Sequence, residues 1–528
     1  MTKDSRPSIE MVEATQAEVG GSNPVESPWS MIRTHWRLVI YASLANIGPL
    51  MFGYDMVVIG AITALSVFRR DFGSPVPGGS GATVIPALWL ALWNALVQAG
   101  AAVGSVMAGW FQDRFGRRAT FLLGGAFGLT GTTICYISGL PGDTETRRGV
   151  FLLGKIIIGL GCGVLMTSCQ TWISEVSPKS MRGFLLGFYA FNVSFGHLLA
   201  IVIVFSQNGV MSPYAYQMPF GTQWAFGGVA VLAGIVLPES PVWLVANDHI
   251  EKAAGALRKL GTDSDSSLLM RIQASLAHEG SGAPTFKECF QNTDLRRTLI
   301  IVWLNMIQSF VGMSILANSA YFLIMAGMSP RYSLMVNSIG IAAAMVGNMT
   351  SWYTVPRFGR RSLILISLGL DNLAWLSMGI AACFTSAAAQ WYVGVALLLF
   401  GFFNSLGVAS AVPVIGTELS SVRLRSRSAS LGFGAQSITS WVFMFFTPYL
   451  YNTDELNWGG KIGFFFMGTG MLAFALTWWC VPETKGRTFQ ELDHLFENKV
   501  AARAFKKSVV PRDEVIVGEQ KVADRAEF

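Results

Sequence analysis

Asp55 is an acid inside one apolar run, 38–60, and Lys155 is a base inside another, 149–172. An ionisable group in such a run is costly to bury, so its default reading is functional. A nearby cation favours the ionised carboxylate and desolvation disfavours it, so movement of Lys155 relative to Asp55 would switch proton affinity. The alternative is a static buried ion pair that fixes two helices. His197 and Asp371 are further titratable groups in apolar runs: His197 can bind a solute or relay protons, and Asp371 can share polar contacts with Asn372. A second set is neutral. Gln308, Ser314 and Asn318 recur at roughly helical spacing and would face one cavity, with Ser309, Asn192, Gln436 and Trp441 as companions. Amides and hydroxyls beside an aromatic face suit a neutral polyhydroxylated solute better than an anion, which would favour unpaired Arg or Lys.

These residues must be positioned by membrane helices. The chain has 528 residues, 13% charged and 52% hydrophobic, with a mean hydropathy of +0.46. About 25% charged is usual for soluble domains. At about 20 residues per crossing, twelve spans are expected: 38–60, 84–108, 119–139, 149–172, 182–206, 222–238, 298–323, 333–355, 362–384, 390–412, 428–450 and 461–481. An even count puts both termini on one side. The loops on that side carry eleven Lys or Arg (Arg114, Arg117, Arg118, Lys179, Arg182, Arg357, Arg360, Arg361, Arg423, Arg425, Arg427), against six on the other (Arg69, Arg70, Arg147, Arg148, Arg331, Lys461). The termini are therefore expected in the cytosol. The net charge of +6 does not indicate nucleic acid, because the bases sit at the ends of apolar runs rather than along one face. No removable signal peptide is read in the polar, Pro-broken residues 1–36. Five of six cysteines fall in or beside spans, which argues against a disulfide framework, and the glycosylation matches at Asn192 and Asn348 lie where a glycan could not be attached.

The chain repeats itself. Asp113-Arg-Phe-Gly-Arg-Arg118 recurs as Pro356-Arg-Phe-Gly-Arg-Arg361, an offset of 356 − 113 = 243. Glu175 and Arg182 recur as Glu418 and Arg425 at the same offset, and Pro238-Glu239-Ser recurs as Pro482-Glu483-Thr at 244. Two six-helix halves, 37–240 and 298–482, are thus expected, joined by a cytosolic linker, 241–297, and flanked by cytosolic tails, 1–36 and 483–528. Transporters built this way hold solute near the bilayer midplane and rock one half against the other. Asp113, Arg114, Arg117, Arg118, Glu175, Arg182, Glu239, Arg357, Arg360, Arg361, Glu418, Arg425 and Glu483 all lie at helix ends on one face. Pairs among them would hold one conformation shut and break in the other. As mere positive-inside anchors they would need neither Asp113 nor Glu175.

At these motifs the sequence resembles the sugar porter family of the major facilitator superfamily. The matching residues are Phe52-Gly-Tyr-Asp55, Gly109-x-x-x-Asp113-Arg-x-Gly-Arg-Arg118, Pro238-Glu-Ser-Pro-Val-Trp-Leu244 and Pro482-Glu-Thr-Lys-Gly-Arg487. Asn457-Trp-Gly-Gly-Lys-x-Gly-Phe-Phe465 and Glu491-Leu-Asp-x-Leu-Phe496 are similar to fungal maltose-type (α-glucoside) permeases. The resemblance implies that Asp55 takes up and releases a proton, with Lys155 standing where the family commonly has Arg. It also implies a sugar site on the seventh span, at Gln308-Ser309-x-x-Gly312-x-Ser314, where one Gln of the usual pair is kept. Ala190 stands where the family has Gln, and Pro413 where it has an aromatic. Gln436 and Ser440 occupy the paired Asn positions.

The expectation is an all-α protein of the major facilitator fold that imports a sugar, of α-glucoside or other small oligosaccharide type, by proton symport across the plasma membrane, as a monomer. An exporter of a non-sugar metabolite and a non-transporting sugar sensor are the rivals. No cofactor, metal site or enzymatic motif is read. Gly159-x-Gly161-x-Gly163 is spaced like a dinucleotide loop, but inside an apolar span its small residues allow close helix packing instead.

Overall fold

A computed structural model describes residues 33–508, apart from short stretches of which 76–82, 262–268, 273–284 and 452–455 are the longest; the side chain of Arg182 also lies outside the described residues, as do Arg423 and the side chain of Arg331. Twelve helical rods follow one another. They are Trp36–Ala45 with Ile47–Ile62, Ala87–Phe115, Arg117–Ile137, Thr144–Val176, Lys179–Ser206 and Tyr214–Val236 in the first half. The second half has Asn292–Phe310 with Met313–Ala317 and Ser319–Met325, then Pro330–Phe358, Arg360–Ala381, Ala387–Leu406 with Val408–Leu419, Arg425–Tyr451 and Ile462–Cys480. A two-residue antiparallel pair, Ser74–Pro75 with Thr83–Val84, links the first two rods.

Among the described residues, ten helices are long and apolar enough to cross a bilayer; the seventh and eleventh rods fall short. The seventh is cut at Gly312, whose φ of 97° is left-handed, and again at Asn318. The eleventh is diluted by Ser426, Ser428, Ser430, Gln436, Ser437 and Ser440. Helix interruptions of this kind persist only where neighbouring protein satisfies the freed backbone groups. The two weak rods pack on each other.

Each half has its own apolar core. One centres on Phe68, Phe72, Trp93, Phe151 and Tyr216, the other on Trp375, Phe400, Tyr451 and Phe466. The linker adds Pro241–Ala246 and Ile250–Leu260, which pack through Leu244, Val245, Ala253 and Ala256.

The glycine run in the fourth span is a packing surface. A Cβ at Gly159 would lie 2.2 Å from the Val97 carbonyl oxygen and one at Gly163 2.1 Å from that of Ala101, while Gly161 faces Gly124 and Gly128 of the third span. Gly100 and Gly104 return the contact from the second span. Gly163→Ala must push the second and fourth spans apart, and is expected to destabilise by about 1–3 kcal/mol. Thermal unfolding in detergent would read this as a lowered midpoint; an unchanged midpoint would mean that the seam yields freely.

Candidate functional site

The first, fourth and sixth spans meet around Asp55. Lys155 donates from Nζ to Asp55 Oδ1, and Gln223 Nε2 donates to the same oxygen at 3.1 Å. All three side chains are buried, and among the described residues Asp55 Oδ2 has no hydrogen-bond partner. The first span is held here by glycines: a Cβ at Gly53 would meet the Val193 carbonyl at 2.0 Å, and one at Gly196 the Leu50 carbonyl at 2.2 Å. Sequence reasoning found Asp55 and Lys155 but missed Gln223, whose only signal was a neutral amide within an apolar stretch.

Met56, the residue after Asp55, links this cluster to the seam between the halves. Gln98 Nε2 lies 3.5 Å from Met56 Sδ, and Gln98 lines a central crevice with Phe52, Met166, Phe433, Gln436 and Ser437. The crevice leaves about 10 Å³, at the limit of what one water needs. A small-molecule site of ordinary size needs about 300–1,000 Å³, so solute entry requires the halves to part.

The seventh and eleventh spans form a polar ladder beside this crevice. Gln436 Nε2 donates to Gln308 Oε1 at 3.1 Å; the hydroxyls of Ser309 and Ser440 lie 3.0 Å apart, and those of Ser314 and Thr447 3.2 Å apart. Asn318 Nδ2 donates to the Ser314 carbonyl at 3.3 Å, beside Gly60 of the first span. The structure therefore brings Gln308, Ser309, Ser314, Asn318 and Gln436 together, bonded to one another, to hydroxyls of the eleventh span or to their own helix. It does not bring Trp441 to them. Trp441 is exposed, on an outward stripe with Ile438, Val442 and Phe445 at helical spacing. Asn192 donates to the Phe188 carbonyl of its own helix at 2.8 Å. His197 is buried with no partner for Nε2 among the described residues, and Asp371 is buried on the ninth span near Ser367 and Asn404.

At the basic end the repeat becomes geometry. Arg117 grips Glu175 through Nε at 3.0 Å and Nη2 at 2.6 Å; its counterpart Arg360 meets Glu418 at 2.9 Å. Arg118 donates to the Ile235 carbonyl at 2.6 Å and Arg361 to that of Trp478 at 2.7 Å, closing the ends of the sixth and twelfth spans. Glu239 accepts the backbone N–H groups of Arg117 and Arg118 at 2.8 and 3.2 Å, and Glu483 those of Arg360 and Ser362 at 3.0 and 3.4 Å. These two acids cap helix starts, where a negative charge is favoured. They fit there because Gly116 and Gly359, at φ 90° and 92°, have no Cβ to strike them. Arg114 lies against Phe115, and Arg357 against Tyr353 with its carbonyl accepting from Lys485.

Most of these contacts join neighbouring helices of one half. The crossing contacts are fewer. Asp113 reaches Arg427 at 2.7 Å and accepts from Ser426 at 2.6 Å, and Arg425 approaches the Ser174 carbonyl at 3.5 Å. Phe286 of the linker stacks on Arg427 at 4.5 Å. The repeat puts Pro356 where Asp113 stands, so the opposite seam has no such acid. There, Trp352 packs on Phe184, Phe188 and Phe191, and Asn348 donates to Ser194 at 2.9 Å while accepting from Ser410 at 3.1 Å.

The family model for sugar (and other) transporters matches residues 41–496. The chain is 32% identical to the MFS transporter fmqE of Aspergillus fumigatus, over 96% of this chain and 98% of that one. It is 28% identical to the alpha-glucosides permease MPH3 of Saccharomyces cerevisiae, over 91% of this chain and 80% of the relative. Its fold matches the MFS proton:xylose symporter XylE bound to 6-bromo-6-deoxy-D-glucose, with a TM-score of 0.75 and 22% identity, covering 87% of this chain and 99% of that one.

Proposed function

We propose, since this chain belongs to the sugar (and other) transporter family of the major facilitator superfamily, that it imports an α-glucoside or another small oligosaccharide together with a proton, by alternating access. It acts in the plasma membrane as a monomer, with both termini and the linker in the cytosol, in keeping with the excess of Lys and Arg on that face. The observation that carries the reading is the buried Lys155–Asp55 pair with Gln223, one residue away from Met56, which touches the crevice-lining Gln98. Protonation of Asp55 would neutralise the carboxylate and release Lys155, loosening the fourth span from the first. A proton on Asp55 and a solute between Gln98, Gln308 and Gln436 would then cross as the halves rock. The sugar is held by amides and hydroxyls that now bond one another, so its hydroxyls replace bonds already made, with little net desolvation.

A second reading is transport of a non-sugar metabolite. The crevice wall of Phe52, Met166 and Phe433 is apolar, and Ala190 and Pro413 offer no hydrogen-bonding side chain. Uptake of labelled maltose and a carbohydrate panel in yeast lacking its own sugar transporters, with and without a protonophore, separates the two. Accumulation of at least one sugar, abolished by the protonophore, is the expected result. Failure on every sugar, with counterflow of an apolar metabolite, would replace the first reading by the second.

A further inference from the structure

A cleft of about 810 Å³ opens on the outer surface of the second half, far from the central crevice, between the start of the seventh span, the end of the twelfth and the C-terminal segment. Its walls divide by chemistry. Leu299, Trp303 and Trp479 form an apolar side, with Leu299 53% and Trp479 72% exposed on the surface that faces lipid. Arg296 and Arg503 form the other side. The neighbouring Arg297 is neutralised by Asp493 at 2.6 Å. Among the described residues, neither Arg296 nor Arg503 pairs with a carboxylate. Arg296 Nη1 donates to the Val500 carbonyl at 2.8 Å and its guanidinium lies 5.2 Å over Phe496, which fixes the head at the cleft. Arg503 lies 5.5 Å over Trp478, and Arg361 lies at the same distance from that ring. Three guanidinium groups thus gather at one end of the twelfth span, beside two tryptophans and against the bilayer boundary.

We infer that this cleft binds one anionic glycerophospholipid. Its phosphate would lie between Arg296 and Arg503, which can each donate two parallel hydrogen bonds to phosphate oxygens. An acyl chain would run along Leu299 and Trp303, with Trp479 at the headgroup level where indole rings concentrate. Basic pockets at the cytosolic ends of spans are suited to anionic headgroups. Because Arg503 follows the last span and Arg296 opens the seventh, the lipid would tie the chain beyond the twelfth span to the half it packs on. This inference does not depend on the transported solute.

The test uses the full chain in detergent and native mass spectrometry, titrating dioctanoyl phosphatidylserine, dioctanoyl phosphatidylcholine or inorganic phosphate. Phosphatidylserine is expected to bind at least about tenfold more tightly than phosphatidylcholine, and phosphate should not displace it at equal concentration. Each arginine near an anionic lipid contributes roughly a fivefold change in binding. Arg296→Gln with Arg503→Gln should therefore weaken phosphatidylserine about 25-fold, whereas Lys at both positions should keep most of the binding and Arg258→Gln on the exposed linker helix all of it. Equal binding of the two lipids to the unaltered chain would overturn the proposal, as would displacement by phosphate alone. If the double Gln variant fails to fold, the Lys variant and the lipid comparison still decide: loss of lipid discrimination in a folded Lys variant would also count against it.

Discussion

Asp55→Asn is expected to abolish uphill accumulation of the solute while leaving exchange of labelled for unlabelled solute. One proton moving down 100 mV supplies about 2.3 kcal/mol, enough for roughly 50-fold accumulation before any pH gradient. Without a titrating group at 55, the steady-state ratio should fall to about one. The substitution keeps an oxygen that can accept from Gln223 Nε2, where Asp55 now accepts at 3.1 Å. It leaves Lys155 buried without its carboxylate, however, and breaking a buried pair in this way costs about 3–5 kcal/mol. A dead single variant would therefore say little. The double variant Asp55→Asn, Lys155→Gln removes both charges together and should recover much of the lost stability, read as its detergent unfolding midpoint. If it folds, exchanges solute and still fails to accumulate it, coupling resides at Asp55. Accumulation by the double variant at the level of the unaltered chain would sink the assignment. Lys155→Arg is the complementary case: a cation that holds its proton should keep Asp55 paired and slow, rather than abolish, coupled uptake.

The twelve rods and the two halves were legible because apolar runs and motif spacing survive in a single sequence. The repeat at 243 residues becomes matched contacts, Arg117–Glu175 with Arg360–Glu418 and Arg118–Ile235 with Arg361–Trp478. What was not legible is which side of each rod faces protein. A helix apolar all round shows no stripe to read, so Trp441 could be placed beside Gln436 on paper although it lies on the outward stripe with Ile438 and Val442. Gln98 and Gln223 were overlooked for the same reason: a lone amide in an apolar run does not announce its direction. The breaks at Gly312 and Gly407 were also hidden, because each depends on what the neighbouring spans offer the freed backbone. The sixth span starts at Tyr214 rather than near 222, since its first turns carry Gln217 and Pro219, which lower hydropathy without ending the helix. Glu239 and Glu483 accept from backbone N–H groups, a partner that residue type alone does not disclose.

The arginine–acid pairs set the second large effect. Arg117→Ala is expected to destabilise the chain by about 3–5 kcal/mol, because it strands Glu175 with its side chain only 2% exposed. Arg360→Ala at the matched position should cost less, about 1–3 kcal/mol. There the pair makes a single contact, its side chains are 16% and 19% exposed, and Glu418 keeps a hydrogen bond from Thr484 Oγ1 at 2.5 Å. Both pairs join helices within one half. Asp113→Asn touches the seam itself: it weakens the link to Arg427 and should shift the population toward a conformation open at the basic end, with a much smaller loss of stability. Two measurements separate these roles. Unfolding midpoints rank Arg117→Ala below Arg360→Ala, with Asp113→Asn nearest the unaltered chain. A cysteine placed at Ser430, which packs on Gly109 across the same seam, should react faster with a soluble maleimide in the Asp113→Asn background alone. Equal acceleration in the Arg117→Ala background at a temperature where it stays folded would show that the internal brace also gates.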